Sequence, residues 1–449
     1  MYQYNIYICA SNFWNMGNKL KLILMNFLQF AVWGAYLTSQ GRYLGSVGFG
    51  DKIGLFYSIQ GIVSIFMPAI MGIIADKWIQ AQRLLGICHA IAGAAMIGAG
   101  VYGASAGAAV DFTVLFGLYT ISVAFFMPTI AISNSVAYSI LEKSAMDPVK
   151  EFPPIRIWGT IGFIASMWFV DFVRLDGVAL QLTSMQYVVS GVLGIVLAVY
   201  AFTLPECPVI KRDEKKSIIE AMGLKAFTLF KDKNMAIFFI FSMLLGVALQ
   251  ITNGFANPFL GDFGNIEAYQ NSFGVLHSNV LISLSQVSET LCILLIPFCL
   301  RRFGIKKVML IAMFAWVLRF GFFAVGNPGS GIWLFVLSMI IYGVAFDFFN
   351  ISGSLFVNEN TDKSIRSSAQ GLFMLMTNGI GAAVGTLGAQ WVVNLLVNSK
   401  KVPSADGVID WNGVMNGWCD AWYIFAAYAL IVAVMFAILF KYKHNPVRK

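Results

Sequence analysis

Residues 206–234, ECPVIKRDEKKSIIEAMGLKAFTLFKDKN, hold twelve charged side chains, seven of them basic, in a chain that is only 12% charged over its 449 residues. On either side the sequence is dominated by long apolar runs. Before the interval they fall at roughly 22–44, 54–75, 84–104, 112–135, 153–173 and 186–205. After it they resume at roughly 235–259, 277–300, 308–326, 332–356, 369–396 and 420–440. A bilayer-spanning helix needs about 20 mostly apolar residues, so each run is long enough to cross. The charged interval therefore splits the chain into two sets of six spans, an all-α membrane protein with two six-helix bundles at 22–205 and 235–441. A cytoplasmic segment at 1–21, a linker at 206–234 and a basic tail at 442–449 complete the division.

Composition supports this reading. The chain is 58% hydrophobic with a mean hydropathy of +0.75, whereas soluble domains carry roughly 25% charged residues. Too little polar surface is available for a water-soluble enzyme, a nucleic-acid binder or a disordered chain. The formal charge of +8 is first a topology signal, because Lys and Arg collect in cytoplasmic loops. With the amino terminus placed inside, 23 of the 30 basic residues fall in inner segments, five in outer segments, and Arg156 and Arg319 within spans. That split predicts two cytoplasmic termini in a multi-pass protein and no nucleic-acid partner.

The six cysteines show neither paired nor metal-ligand spacing, so no disulfide framework and no metal site is expected. Residues 1–15 lack the basic start and small-residue cleavage site of a secretory signal and look like an extension ahead of Met16. A faint internal repeat accompanies the two halves. Gln60 precedes Pro68 by eight residues, as Glu289 precedes Pro297, and Ile155–Arg156 is echoed by Ile365–Arg366. Duplicated halves are a common construction among secondary transporters.

No phosphate-binding GxxxxGK[ST], HExxH or nucleophile-elbow motif is present, and His89, His277 and His444 lie on separate segments. The chain is not expected to be an enzyme. What remains is the ionisable content of the spans, where each such group is costly and usually faces a cavity or a partner. Glu289 and Asp347 stand near the middle of the eighth and tenth spans. They are read either as a structural hydrogen bond or ion pair, or as groups that bind substrate and carry a proton.

Helical spacing collects polar neighbours around them. Gln286 and Glu289 are three apart, as are Gln250 and Asn253; Arg156, Thr160 and Phe163 form one stripe; Tyr342 and Phe346 form another, with Asp347 alongside. Amides, carboxylates, one guanidinium and aromatic faces suit a neutral, flat, polyhydroxylated ligand. A phosphorylated ligand would need several clustered cations. Each aromatic has packing as its alternative role, and Arg156 could instead snorkel to the inner boundary. Arg319 has no partner evident from sequence and is expected to snorkel outward.

Several stretches resemble the nucleoside:proton symporters of the major facilitator superfamily, the bacterial nucleoside permeases. They are FLQF at 27–30, GIIADKW at 72–78, FPPIRIWGTIGF at 152–163, IFFIFSMLLG at 237–246 with LQITN at 249–253, and AFDFFNISGS at 345–354. The resemblance runs from about Met16 to His444. It implies the twelve-helix major facilitator fold, alternating access, and import of purine and pyrimidine nucleosides across the bacterial cytoplasmic (inner) membrane by a monomer embedded in the lipid bilayer. The proton is the coupling ion, and no other cofactor is implied.

By the same resemblance, substrate contacts fall on Arg156, Thr160, Phe163, Gln250, Asn253, Gln286, Glu289, Tyr342 and Phe346. Asp347 and Glu289 become the proton-coupling candidates, and Asp76 and Lys77 the inner gate. The chain departs from the superfamily loop at Ile79, where Gly is usual, and has a long polar loop at 398–419. The alternatives are a carrier narrow for one nucleoside, such as xanthosine, or a sugar carrier of the same superfamily.

Overall fold

A computed structural model of the chain describes residues 2–208, 224–362 and 365–442; the side chains of 2–15, 76–77, 149, 224–225 and 367 lie outside the description. Most of the charged interval and the end of the basic tail, residues 209–223 and 443–449, are therefore not described.

Helices account for every expected apolar run. They are α1 Tyr2–Gly34, α2 Gln40–Ser46, α3 Ile53–Lys77, α4 Ala81–Ala106, α5 Phe112–Lys143, α6 Pro148–Phe172 and α7 Met185–Ala201. After the charged interval follow α8 Lys233–Asp262, α9 Ser278–Ile293, α10 Ile296–Phe303, α11 Ile305–Val325 and α12 Ile332–Glu359. The last are α13 Arg366–Met374, a π-helical turn Leu375–Gly381, α14 Ala382–Leu396 and α15 Trp411–Leu439. Among the described residues, nine helices are long and apolar enough to cross a membrane, ten if α9 and α10 count as one. At 17 residues, α7 is a shorter apolar helix.

The eighth run, continuous in sequence, is broken: α9 and α10 meet at a 56° bend. Pro297 explains it. Proline has no amide hydrogen and its ring clashes with the carbonyl four residues back, here that of Ile293. The backbone tightens accordingly, Leu294 and Leu295 donating to the carbonyls of Leu291 and Cys292 three residues back at 3.2 and 3.0 Å. A second feature without an apolar signature is the hairpin pairing Arg174–Leu175 with Val178–Ala179. Its turn, Asp176–Gly177, takes positive φ at both residues (51° and 82°), the requirement of a tight hairpin turn.

The chain forms two compact units, Met1–Tyr36 with Phe66–Lys215, and Leu37–Ile65 with Lys216–Lys449. In the first, Leu22, Met25, Leu84, Leu85, Cys88, Val136, Ile140 and Leu197 make an apolar core. A buried polar chain ties three helices together: His89 Nε2 lies 2.8 Å from Gln29 Oε1, and Gln29 Nε2 donates to Thr129 Oγ1 at 2.8 Å. Side chains that hydrogen-bond between helices are a means of fixing helix register in lipid. Helices α1 and α6 approach so closely at Gly162 that a Cβ there would overlap the Phe27 carbonyl.

The second unit has an aromatic core of Phe259, Trp316, Phe320, Phe323, Phe335, Trp418 and Trp422, with Phe323 and Trp422 stacked at 4.6 Å. It also includes Leu37–Ile65, held by side-chain amides. Gln390 accepts from the Gly54 amide at 2.6 Å and donates to the Gly50 carbonyl at 3.0 Å. Asn394 and Asn398 donate to the carbonyls of Asp51 and Gly50, both at 3.2 Å. Thr38 donates to Asn279 at 3.0 Å, and Arg42 to the Val275 carbonyl at 3.0 Å.

Candidate substrate and proton site

In the second unit the site begins with two helices that nearly touch. Gly343 of α12 lies against α9: a Cβ there would sit 2.5 Å from the Ser288 carbonyl oxygen and 2.8 Å from the Glu289 amide nitrogen. Ser288 Oγ also donates to the Ile340 carbonyl across the same seam. This approach brings Glu289, one residue from Ser288, beside Tyr342, one residue from Gly343. Gln286 sits one turn earlier on the Glu289 face, and both are half-buried.

Tyr342 and Phe346, one turn apart, present parallel rings with centroids 5.7 Å apart and 6° between planes. Asp347 follows, 6% exposed, and its Oδ2 has no hydrogen-bond partner among the described residues. Glu289 and Asp347 are near enough to interact electrostatically, and Tyr342 feels both. The two carboxylates picked out by their mid-span positions thus belong to one cluster, with the aromatic pair on the helix that carries Asp347.

On α8, Asn253 Nδ2 donates to Gln250 Oε1 at 3.3 Å, so this expected pair is preoriented on one face. Its neighbour Leu249 lines a small recess together with Trp316, Phe346, Asn350, Thr377 and Asn378. Two of these come from the π-helical turn, an irregularity often found at functional sites. Asn350, Asn378 and Trp316 were not among the expected site residues. Asn350 carried a signal, lying one turn beyond Phe346; Asn378 carried none, because nothing in its sequence marks a π-turn.

In the first unit Arg156, Thr160 and Phe163 form one stripe on α6, next to Gly159 and Gly162, which lie against α1. The Arg156 guanidinium carbon stands 3.8 Å from the centre of the Phe30 ring, a close cation–π contact. Arg156 is thereby engaged by α1 of its own unit. Phe163 is buried and meets Trp33 edge-on at 6.3 Å. The gate candidates Asp76 and Lys77 have side chains outside the described residues.

Arg319 corrects the expectation of outward snorkelling. It is 2% exposed, and Nη1 donates to the Ser338 carbonyl at 2.6 Å and to Ser285 Oγ at 3.4 Å. Its guanidinium carbon lies 4.7 Å from the Tyr342 ring centre, 5.5 Å from that of Phe323 and 5.9 Å from that of Trp316. The aromatic residues at positions 316, 320 and 323 of the same helix were the available signal for a caged cation.

Comparison with known proteins agrees with this architecture. The xanthosine permease of Escherichia coli K12 is 47% identical over 434 residues, covering 96% of this chain and 98% of its own. Nucleoside permease NupG of the same organism is 45% identical over 432 residues, covering 96% and 97%. A crystal structure of nucleoside transporter NupG superposes with a TM-score of 0.82 at 45% identity, covering 95% of this chain and 99% of that one. The fold is that of the major facilitator transporters, and a family model described as nucleoside H+ symporter matches residues 16–445. The chain is therefore a multi-pass membrane protein that belongs to the nucleoside H+ symporter family.

Proposed function

We propose that this chain imports nucleosides together with protons. The observation that carries the reading is the cluster of Glu289, Tyr342, Phe346 and Asp347, set in a family of proton symporters. Parallel aromatic rings offer a nucleobase a stacking surface. Carboxylate and carboxamide oxygens accept from ribose hydroxyls, and amide nitrogens donate to base edges. On this account Gln250, Asn253, Gln286, Glu289, Tyr342 and Phe346 contact nucleoside, and Arg156, Thr160 and Phe163 contribute further contacts.

Asp347, with Glu289 beside it, carries the proton. Burying an unpaired carboxylate charge costs several kcal/mol, so protonation and conformation are linked at Asp347. A proton bound on one side lowers the cost of the state that buries the carboxyl group, and its loss on the other side resets the cycle. Asp76 and Lys77 act at the inner end.

The excess of basic residues in inner segments supports two cytoplasmic termini in a bacterial cytoplasmic membrane. We take the working unit to be a monomer, with 22–205 and 235–441 as its two bundles. The 47% identity to a xanthosine permease keeps a narrower second reading, a carrier for one nucleoside. Uptake of labelled uridine, adenosine and xanthosine into proteoliposomes tests both. Saturable uptake competed by unlabelled nucleosides and not by free sugars is expected; competition by sugars alone would reject the nucleoside reading, and uptake of xanthosine alone would select the narrow one.

A further inference from the structure

We infer that Arg319 is a positioning residue for substrate recognition, acting through Tyr342; the inference rests on the nucleoside reading of the Tyr342–Phe346 pair. An arginine in mid-span is expensive and is retained where a cavity, a partner or a function compensates it. Arg319 forms no ion pair among the described residues, and its Nε has no hydrogen-bond partner. Its compensation comes from one short bond to a main-chain carbonyl, a longer one to Ser285 Oγ, and three aromatic rings.

Those contacts are directional. Arg319 Nη1 donates to the Ser338 carbonyl at 2.6 Å while Ser338 Oγ donates back to the Arg319 carbonyl at 3.0 Å. This reciprocal tie joins α11 to α12 one turn before Tyr342. Ser338, Tyr342 and Phe346 recur every four residues and so form a single stripe. The same guanidinium then closes on the Tyr342 ring at 4.7 Å, and Trp316 meets that ring edge-on at 5.9 Å and 90°. Tyr342 is thus bounded by Arg319, Trp316 and Phe346. A planar guanidinium hydrogen-bonds in its plane and stacks on its face in one fixed orientation, whereas an ammonium is a compact point charge without that plane. Arg319 fixes the rotation of Tyr342 and with it the stacking platform, without touching the nucleoside.

The test is a double-mutant cycle on purified, reconstituted protein, reading adenosine affinity at fixed pH. Tyr342→Leu should raise Kd at least ten-fold, and Arg319→Met nearly as much. The double variant should bind within two-fold of Tyr342→Leu alone. Arg319→Lys should recover only part of the loss. In uptake, Arg319→Met should raise KM while leaving the maximal rate within three-fold and the dependence on the pH gradient unchanged.

Losses that multiply in the double variant overturn the inference. So does an unchanged Kd with lost proton-driven accumulation, which would make Arg319 a counter-charge for the carboxylates. If Arg319→Met does not fold, the cycle is run with Arg319→Lys and with Ser338→Ala, which removes the return bond. Each should weaken binding in the parent and not in the Tyr342→Leu background, and any other pattern rejects the inference. An unaltered Kd in Tyr342→Leu itself would instead sink the nucleoside reading of the pair, a separate failure.

Discussion

The rings of Tyr342 and Phe346 lie parallel, 5.7 Å apart with 6° between their planes, one helical turn from each other on α12. Stacking of a base on an aromatic side chain is worth about 1–3 kcal/mol. Phe346→Ala should therefore raise the KM for adenosine and for uridine by about ten-fold or more, with little change in melting temperature because Phe346 is only half-buried. Initial-rate uptake and thermal unfolding check the two halves of this expectation. An unchanged KM would assign Phe346 to packing.

Asp347 should separate exchange from coupling. Asn keeps the shape of the side chain and removes the titratable proton. Asp347→Asn is expected to retain nucleoside counterflow across a membrane without a pH gradient and to lose accumulation driven by one. Because the parent Oδ2 is buried without a hydrogen-bond partner among the described residues, the variant should melt at or above the parent temperature. Full accumulation by both Asp347→Asn and Glu289→Gln would remove these residues from the coupling step.

Gly343 is predicted to be intolerant of side chains. A Cβ would stand 2.5 Å from the Ser288 carbonyl oxygen, and the contact is with backbone, which cannot swing away. Overpacking of this kind costs typically about 1–3 kcal/mol. Gly343→Ala should lower the melting temperature, and Gly343→Leu should do so further while weakening nucleoside binding by shifting Glu289 from Tyr342. Melting and equilibrium binding on the same preparations test the pairing of the two effects.

Gln390 should matter more than its neighbours for holding residues 37–65 in the second unit. It satisfies both the Gly54 amide and the Gly50 carbonyl, and the residue is 6% exposed. Leaving a buried backbone group unsatisfied costs about 1–3 kcal/mol. Gln390→Ala is expected to cost that order of stability, and Asn398→Ala less, since Gly50 keeps its bond to Gln390. Hydrogen exchange at Gly54 should quicken in the first variant and not in the second.

Much of this was legible in residue order, and the exceptions have physical causes. Apolar runs mark spans because lipid demands long uncharged helices, and Glu289 and Asp347 stood out because carboxylates are rare in such runs. The break between α9 and α10 was harder to see: Pro297 acts on the residues before it, and Ile293 to Leu295 read as ordinary span. Arg319 departs from its expected snorkelling because that expectation depends only on distance to the boundary, whereas its cage depends on Ser338 and Tyr342 of another helix. The attachment of Leu37–Ile65 to the second unit includes scattered side-chain hydrogen bonds from Gln390, Asn394, Asn398, Thr38 and Arg42, and such bonds leave no periodic trace.

Nucleoside entry on this reading carries a proton with it. This coupling is tested most directly by adding adenosine to proteoliposomes with a pH-sensitive dye inside and no imposed gradient. With coupled transport the lumen acidifies in a way that requires nucleoside, saturates with it, and disappears in Asp347→Asn while counterflow remains. Nucleoside entry with no change in luminal pH, in preparations that show saturable uptake, would contradict it.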